Sequence, residues 1–211
     1  MRASPTVFAP DQKPWYLRTW ALAAIGVLVL AIIVVSDFPR GTTTADRATQ
    51  YALVQSQLYS GPQSCNSGLA SSITAVSEIL SGQSHDVSTA SGILAQAEPN
   101  CTPVGNSDLL DLASINIPNI LINYQIRPAI DSLDSWAFPN AAAVINDLKG
   151  LMANPRDASI RSDLVKRQTE MDLLAAKAQA IMNADAKIFS VPKQTLGLIT
   201  IKSYPASIIS G

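Results

Sequence analysis

The chain has 211 residues, a formal net charge of -1, 47% hydrophobic residues and only 15% charged ones. That balance excludes a disordered polymer and a protein that gathers nucleic acid by electrostatics. Aromatic residues, at 6%, are too few for an aromatic-rich β-sandwich, and the many alanines, serines, leucines and isoleucines predict helices packed on small and aliphatic side chains.

Residues 1–14 read as a short cytoplasmic N-terminus and 15–36 as a transmembrane signal-anchor helix. The run from Trp15 to Val35, WYLRTWALAAIGVLVLAIIVV, carries the about 20 apolar residues that match a bilayer core of roughly 30 Å. It has no charge from Trp20 to Val35, and Trp15, Tyr16 and Trp20 stand where an aromatic belt meets the lipid headgroups. Arg2, Lys13 and Arg18 outweigh Arg40 and Arg47, so the positive-inside bias puts the N-terminus in the cytoplasm and the C-terminal domain outside a plasma membrane crossed once. A cleaved signal peptide competes, with Val34 and Ser36 as the small pair before a cut. The apolar segment and the stretch before it are longer than such peptides use, which favours an anchor.

Beyond the turn at Ser36–Gly41, Thr42 to Ser60 reads as a helix with Ala45, Ala48, Ala52 and Tyr59 on one stripe, broadened by Tyr51, Val54 and Leu58. Gly61-Pro62 stops it. Leu69, Ile73, Val76 and Leu80 define a second helix ended by Gly82. A third starts at Ser84 or Asp86, turns Val87, Ala90, Leu94 and Ala97 inward, and stops at Pro99. The two cysteines, Cys65 and Cys101, then fall at the start of one helix and the end of the next, and an even pair in an exported region predicts one disulfide.

Ser107-Asp108-Leu109-Leu110-Asp111 opens a further helix, interrupted at Pro118. Ile122, Ile126, Ile130 and Leu133 keep helical spacing through Pro128, so a kinked but continuous helix is expected. Polar interruptions at Asn116, Asn119, Asn123 and Arg127 make this segment a core helix rather than a second membrane element. Asn140 to Ala153 is amphipathic, with Val144, Ile145, Leu148, Leu151 and Met152 on one face. Asn154-Pro155 is read as an N-cap and first-turn proline opening one helix of about 30 residues, on the order of 50 Å. Its apolar set is Ile160, Leu164, Met171, Leu174, Ala178, Ile181 and Ile188. The mixed charges along it, Arg161, Lys166, Arg167, Asp172 and Asp185 among them, read as a solvated face, with a docking surface as the sharper alternative. Residues 37–191 thus form an extracytoplasmic antiparallel bundle, and the fold class is all-α: one N-terminal transmembrane helix, then a disulfide-stapled helical bundle. Residues 192–211 are a tail that could cover the bundle, pair with a partner or rest on the membrane.

Catalytic and cofactor motifs are mostly missing. The one histidine, His85, reads as a loop residue, too solitary for a metal site or a triad. Ser190-Val191-Pro192-Lys193 has S-x-x-K spacing, but Pro192 breaks the helical turn that chemistry needs. No phosphate-binding glycine motif occurs. Asp108 with Asp111, and Asp131 with Asp134, read as solvated helix surface. No cofactor and no metal are expected. The leading expectation is a non-catalytic accessory or assembly subunit of a larger membrane complex, energy-transducing or envelope, with the bilayer and that complex as partners and no nucleic acid. A small-molecule or lipid-binding bundle with a pocket near Tyr124 and Trp136 is the alternative, and an enzyme with an unusual carboxylate or tyrosine site is a third.

Overall fold

The computed structural model describes residues 43–108 and 120–210. Among the described residues six helices form the bundle: α1 (Thr44–Ser60), α2 (Gln63–Leu80), α3 (Val87–Asn100), α4 (Ile120–Ser135), α5 (Ala142–Ala153) and α6 (Ala158–Ile188). A 3-10 turn, Ile201–Ser203, and the short α7, Ala206–Ile209, follow in the tail. Among the described residues the regular structure is all helical and the disulfide joins Cys65 to Cys101. The span read at 15–36, with its belt residues Trp15, Tyr16 and Trp20, lies outside the described residues, as does the helix start around Leu109 to Asp111. Among the described residues no helix is long and apolar enough to cross a membrane.

The inward face of α1 differs from the alanine stripe. Ala45, Ala52 and Tyr59 are exposed, while Tyr51, Val54, Gln55 and Leu58 are buried. Larger side chains gain more by leaving water, so Tyr51 and Leu58 set the rotation of the helix and the alanines follow. In α2 the expected Leu69, Ile73 and Val76 are buried, and the chain reverses at Gly82, whose φ of 72° needs a residue without a Cβ. Asp86 caps α3: its carboxylate accepts from the Thr89 N–H at 2.9 Å and from the Thr89 hydroxyl at 2.6 Å. The two helices approach closely where Gly68 faces Ala97, a Cβ at Gly68 falling 3.1 Å from that of Ala97. Cys65 lies in the first turn of α2 and Cys101 caps the end of α3, so the disulfide closes the hairpin at the end opposite its turn.

Helix α4 runs unbroken through Pro128 and buries Ile122, Ile126, Ile130 and Leu133. The proline is tolerated because it and Tyr124 lie on the exposed side, where water reaches the carbonyl that has lost its N–H partner. Trp136–Ala141 is a wide turn with an extended Phe138 (φ -133°, ψ 123°) and a cis Phe138-Pro139 bond. Asn140 donates its side-chain N–H to the Ser135 carbonyl at 3.0 Å across that turn, and α5 then buries Val144, Ile145, Leu148 and Leu151.

The start expected at Asn154-Pro155 is corrected. Asn154 ends α5, and Asp157 caps α6, accepting from the N–H groups of Ser159 at 2.9 Å and Ile160 at 3.2 Å. A carboxylate answers the positive end of a helix dipole better than an amide does, and Pro155-Arg156 is spent on the turn. At 31 residues, α6 is about 46 Å long. It packs against α4 and α5 through Leu164, Met171, Ala178, Met182 and Ala186. Ile188 is exposed instead of inward.

Candidate functional site

Three regions carry chemistry: the seat of the tail, a set of buried charges, and the outer face of α4. The tail crosses the bundle, with Leu196, Tyr204 and Ile208 buried. It is tied down by side-chain amides on three helices. Gln55 of α1 donates to the Pro192 carbonyl at 3.1 Å, and Gln63 of α2 to that of Leu196 at 2.9 Å. Asn66 donates to the Gly197 carbonyl at 3.3 Å and accepts from the Ile199 N–H at 2.8 Å. From α6, Gln179 donates to the Gln194 carbonyl and accepts from the Leu196 N–H, both at 2.8 Å. Gln168 donates to the Ile199 carbonyl at 3.0 Å, and Asp172 accepts from the Ile201 N–H at 3.1 Å. The tail from Pro192 to Thr200 forms no helix or strand of its own, so these amides and the Asp172 carboxylate supply partners for its backbone.

The charges of α6 are not simply a solvated face. Arg161 is buried and donates to the carbonyls of Ser207, Ile208 and Pro155, clamping α7 to the start of α6. Arg167 donates to Asp147 at 2.9 Å. Burial still pushes the Asp147 carboxyl up, outweighing the attraction of Arg167. Asp185 is buried, one carboxylate oxygen has no hydrogen-bond partner, and desolvation raises its pKa. Tyr51 donates its hydroxyl to the Met182 carbonyl at 3.0 Å and stacks on Phe189 at 4.8 Å between ring centroids. Burial, then the nearby Asp185, pushes its phenol up. Tyr204 is pushed up in the same way by burial and then by Asp172 and Asp147, and its hydroxyl is unpartnered.

The two residues placed at a pocket from sequence differ in burial. Trp136 is wholly buried with its indole N–H unpartnered, whereas Tyr124 is 83% exposed. Tyr124 stands on the outside of α4 with Leu121, Pro128 and the Arg127–Asp131 ion pair, whose N···O separation is 3.3 Å. An open cleft of about 340 Å³ does occur elsewhere, lined by Val87, Ser91, Lys149, Met152 and Ala153. Lys149 is held by Glu98, and that hydrogen bond lowers the Glu98 pKa.

His85 is exposed, and Ser190 to Lys193 lies past the end of α6 without forming a helical turn. Asp131 pairs with Arg127 while Asp134 is raised by burial first and by Asp131 second. Among the described residues no group of three or more His, Cys, Asp or Glu is placed to hold a metal ion. Sequence reasoning missed the amide ladder. Its signal was Gln55, Gln168 and Gln179 on helix faces that periodicity assigns to the interior, together with a tail too apolar for solvent. No family model, curated protein or solved structure matches the chain.

Proposed function

We propose that the chain is a non-catalytic, membrane-anchored accessory or assembly subunit of a larger membrane protein complex, energy-transducing or envelope. Its extracytoplasmic bundle docks on partners through the outer face of α4. The carrying observation is Tyr124, an aromatic side chain 83% exposed on a helix whose opposite face is core. Leu121 one turn before it is 54% exposed, and the Arg127–Asp131 pair gives the patch a charged rim. Tyrosine at the centre and charges at the edge are the usual anatomy of a protein interface. The anchor rests on the 15–36 run, with the N-terminus cytoplasmic and the bundle outside a plasma membrane. The Cys65–Cys101 disulfide supports that side, since such bonds persist in oxidising compartments.

A photo-crosslinking amino acid placed at Tyr124 of the full-length chain, in its native membrane, tests the docking face. One discrete adduct with another membrane protein is expected, and none from the same probe at exposed Thr169 on α6. No adduct from position 124, or the same adducts from both positions, overturns the assignment of this face.

A second reading, a small-molecule or lipid-binding bundle, is favoured by the cleft beside Lys149. Val87, Met152 and Ala153 make its walls mainly apolar, and the Lys149 ammonium among them is paired with Glu98, a lining that suits an apolar ligand segment. Extraction of the purified protein and mass spectrometry of the extract test it: a stoichiometric lipid supports this reading, and none removes it.

A further inference from the structure

The first turns of α1 and the end of α6 lie side by side. Tyr51 of α1 donates its hydroxyl to the Met182 carbonyl and stacks on Phe189, and Gln55, one turn later, donates to the Pro192 carbonyl. Arg47 stands one turn before Tyr51 on the same face of α1. Lys187 and Ile188 directly precede Phe189, and Lys193 directly follows Pro192. These contacts draw three cations and a large apolar side chain onto one strip of surface.

All four side chains are exposed, Ile188 by 58%, and the ion pairs among the described residues leave the three cations out. The acids of the same two stretches are Asp46, in the first turn of α1, and Asp185, which is buried. The strip therefore keeps a net positive charge.

We propose, on the reading of 15–36 as a membrane anchor, that this strip seats on the bilayer itself. Phosphates of the lipid headgroups pair with Arg47, Lys187 and Lys193, and Ile188 enters the headgroup layer among them. Read as an anchor, the 15–36 run is joined to α1 by residues 37–43, a link that reaches about 25 Å at most, and α1 opens with Arg47 in its first turn. A lipid surface is thus within reach, and its phosphates complement the charge of the strip. Basic side chains around an exposed apolar one are also the composition by which helices lie in a membrane interface. The seat is separate from the α4 docking face and leaves that face to a protein partner.

The full-length chain, reconstituted into vesicles of phosphatidylcholine and phosphatidylglycerol that contain a lipid with a nitroxide on its headgroup, tests the seat. A fluorophore is attached through Ala184→Cys, one turn before Ile188 on the exposed side of α6, or through Thr169→Cys, about 22 Å back along the same helix. Quenching at 184 is expected to be at least three-fold that at 169. It is expected to fall to the level at 169 when Arg47, Lys187 and Lys193 are all replaced by glutamate. Equal quenching at the two positions, in protein that floats with the vesicles, overturns the seat and leaves the anchor standing, as does quenching at 184 that the three substitutions leave unchanged. Protein that does not float with the vesicles overturns the anchor and the seat with it.

Discussion

Asp185 and Asp86 make folding depend on pH in opposite senses. Burial raises the Asp185 pKa in the folded protein above its unfolded value, so folding favours the protonated form. Stability is therefore greatest below the ordinary carboxylate range and falls as pH rises through the raised value. Asp185→Asn removes the charge and is expected to flatten this part of the profile and to raise stability at pH 8 by about 1 kcal/mol. Denaturant unfolding of both proteins from pH 4 to 8 reads the difference, and identical slopes would contradict it. Asp86 is held down to about 2, chiefly by the hydroxyl and N–H of Thr89. Its contribution is complete above the ordinary value and lost as pH falls through about 2, so Asp86→Ala is expected to remove part of the acid sensitivity below pH 4, read by unfolding at those pH values. The Asp86 cap was legible in the sequence because a cap is made by residues three apart. The buried state of Asp185 was not, because the α6 sequence alone does not say which of its charged positions the rest of the fold covers.

The same division between local and distant causes runs through the elements. The expected helices recur among the described residues and bury most of their apolar sets, since apolar spacing reports which face is covered, but Val87 at the start of α3 and Ile188 at the end of α6, both expected inward, are exposed at helix ends that few neighbours cover. The other errors fall where two local signals compete: the alanines of α1 against its tyrosine and leucine, and Asn154 against Asp157 at the start of α6. The α2–α3 hairpin offers the sharpest tests. Gly68 allows these helices to meet at Ala97, so Gly68→Leu is expected to force them apart at a cost of about 1–3 kcal/mol by overpacking, measured by chemical denaturation. Reduction of the Cys65–Cys101 bridge, which spans a sequence separation of 36, is expected to lower stability by about 4 kcal/mol in the chain-entropy account. An unchanged unfolding midpoint under reductant would show that the unfolded chain is not restrained by the bridge.

At the scale of the whole molecule, the tail completes the bundle: Leu196, Tyr204 and Ile208 join the common core, and Arg161 locks the end in place. The apolar character of residues 192–211 hinted at burial, but their seat was not legible there, because their partners are side chains on three separate helices. Of the two residues proposed for a pocket, Tyr124 is exposed on α4 and Trp136 is buried at the start of the turn that follows it, a difference that apolar periodicity does not report. The face of α4 that carries exposed Tyr124 and the Arg127–Asp131 pair is the surface proposed for docking. The direct measurement is purification of the tagged full-length chain from its native membrane in mild detergent, with native-gel separation and mass spectrometry of what co-migrates. The account predicts a stoichiometric set of membrane subunits, lost when Tyr124 is replaced by alanine. The chain migrating without other subunits, or a complex indifferent to Tyr124→Ala, would contradict it.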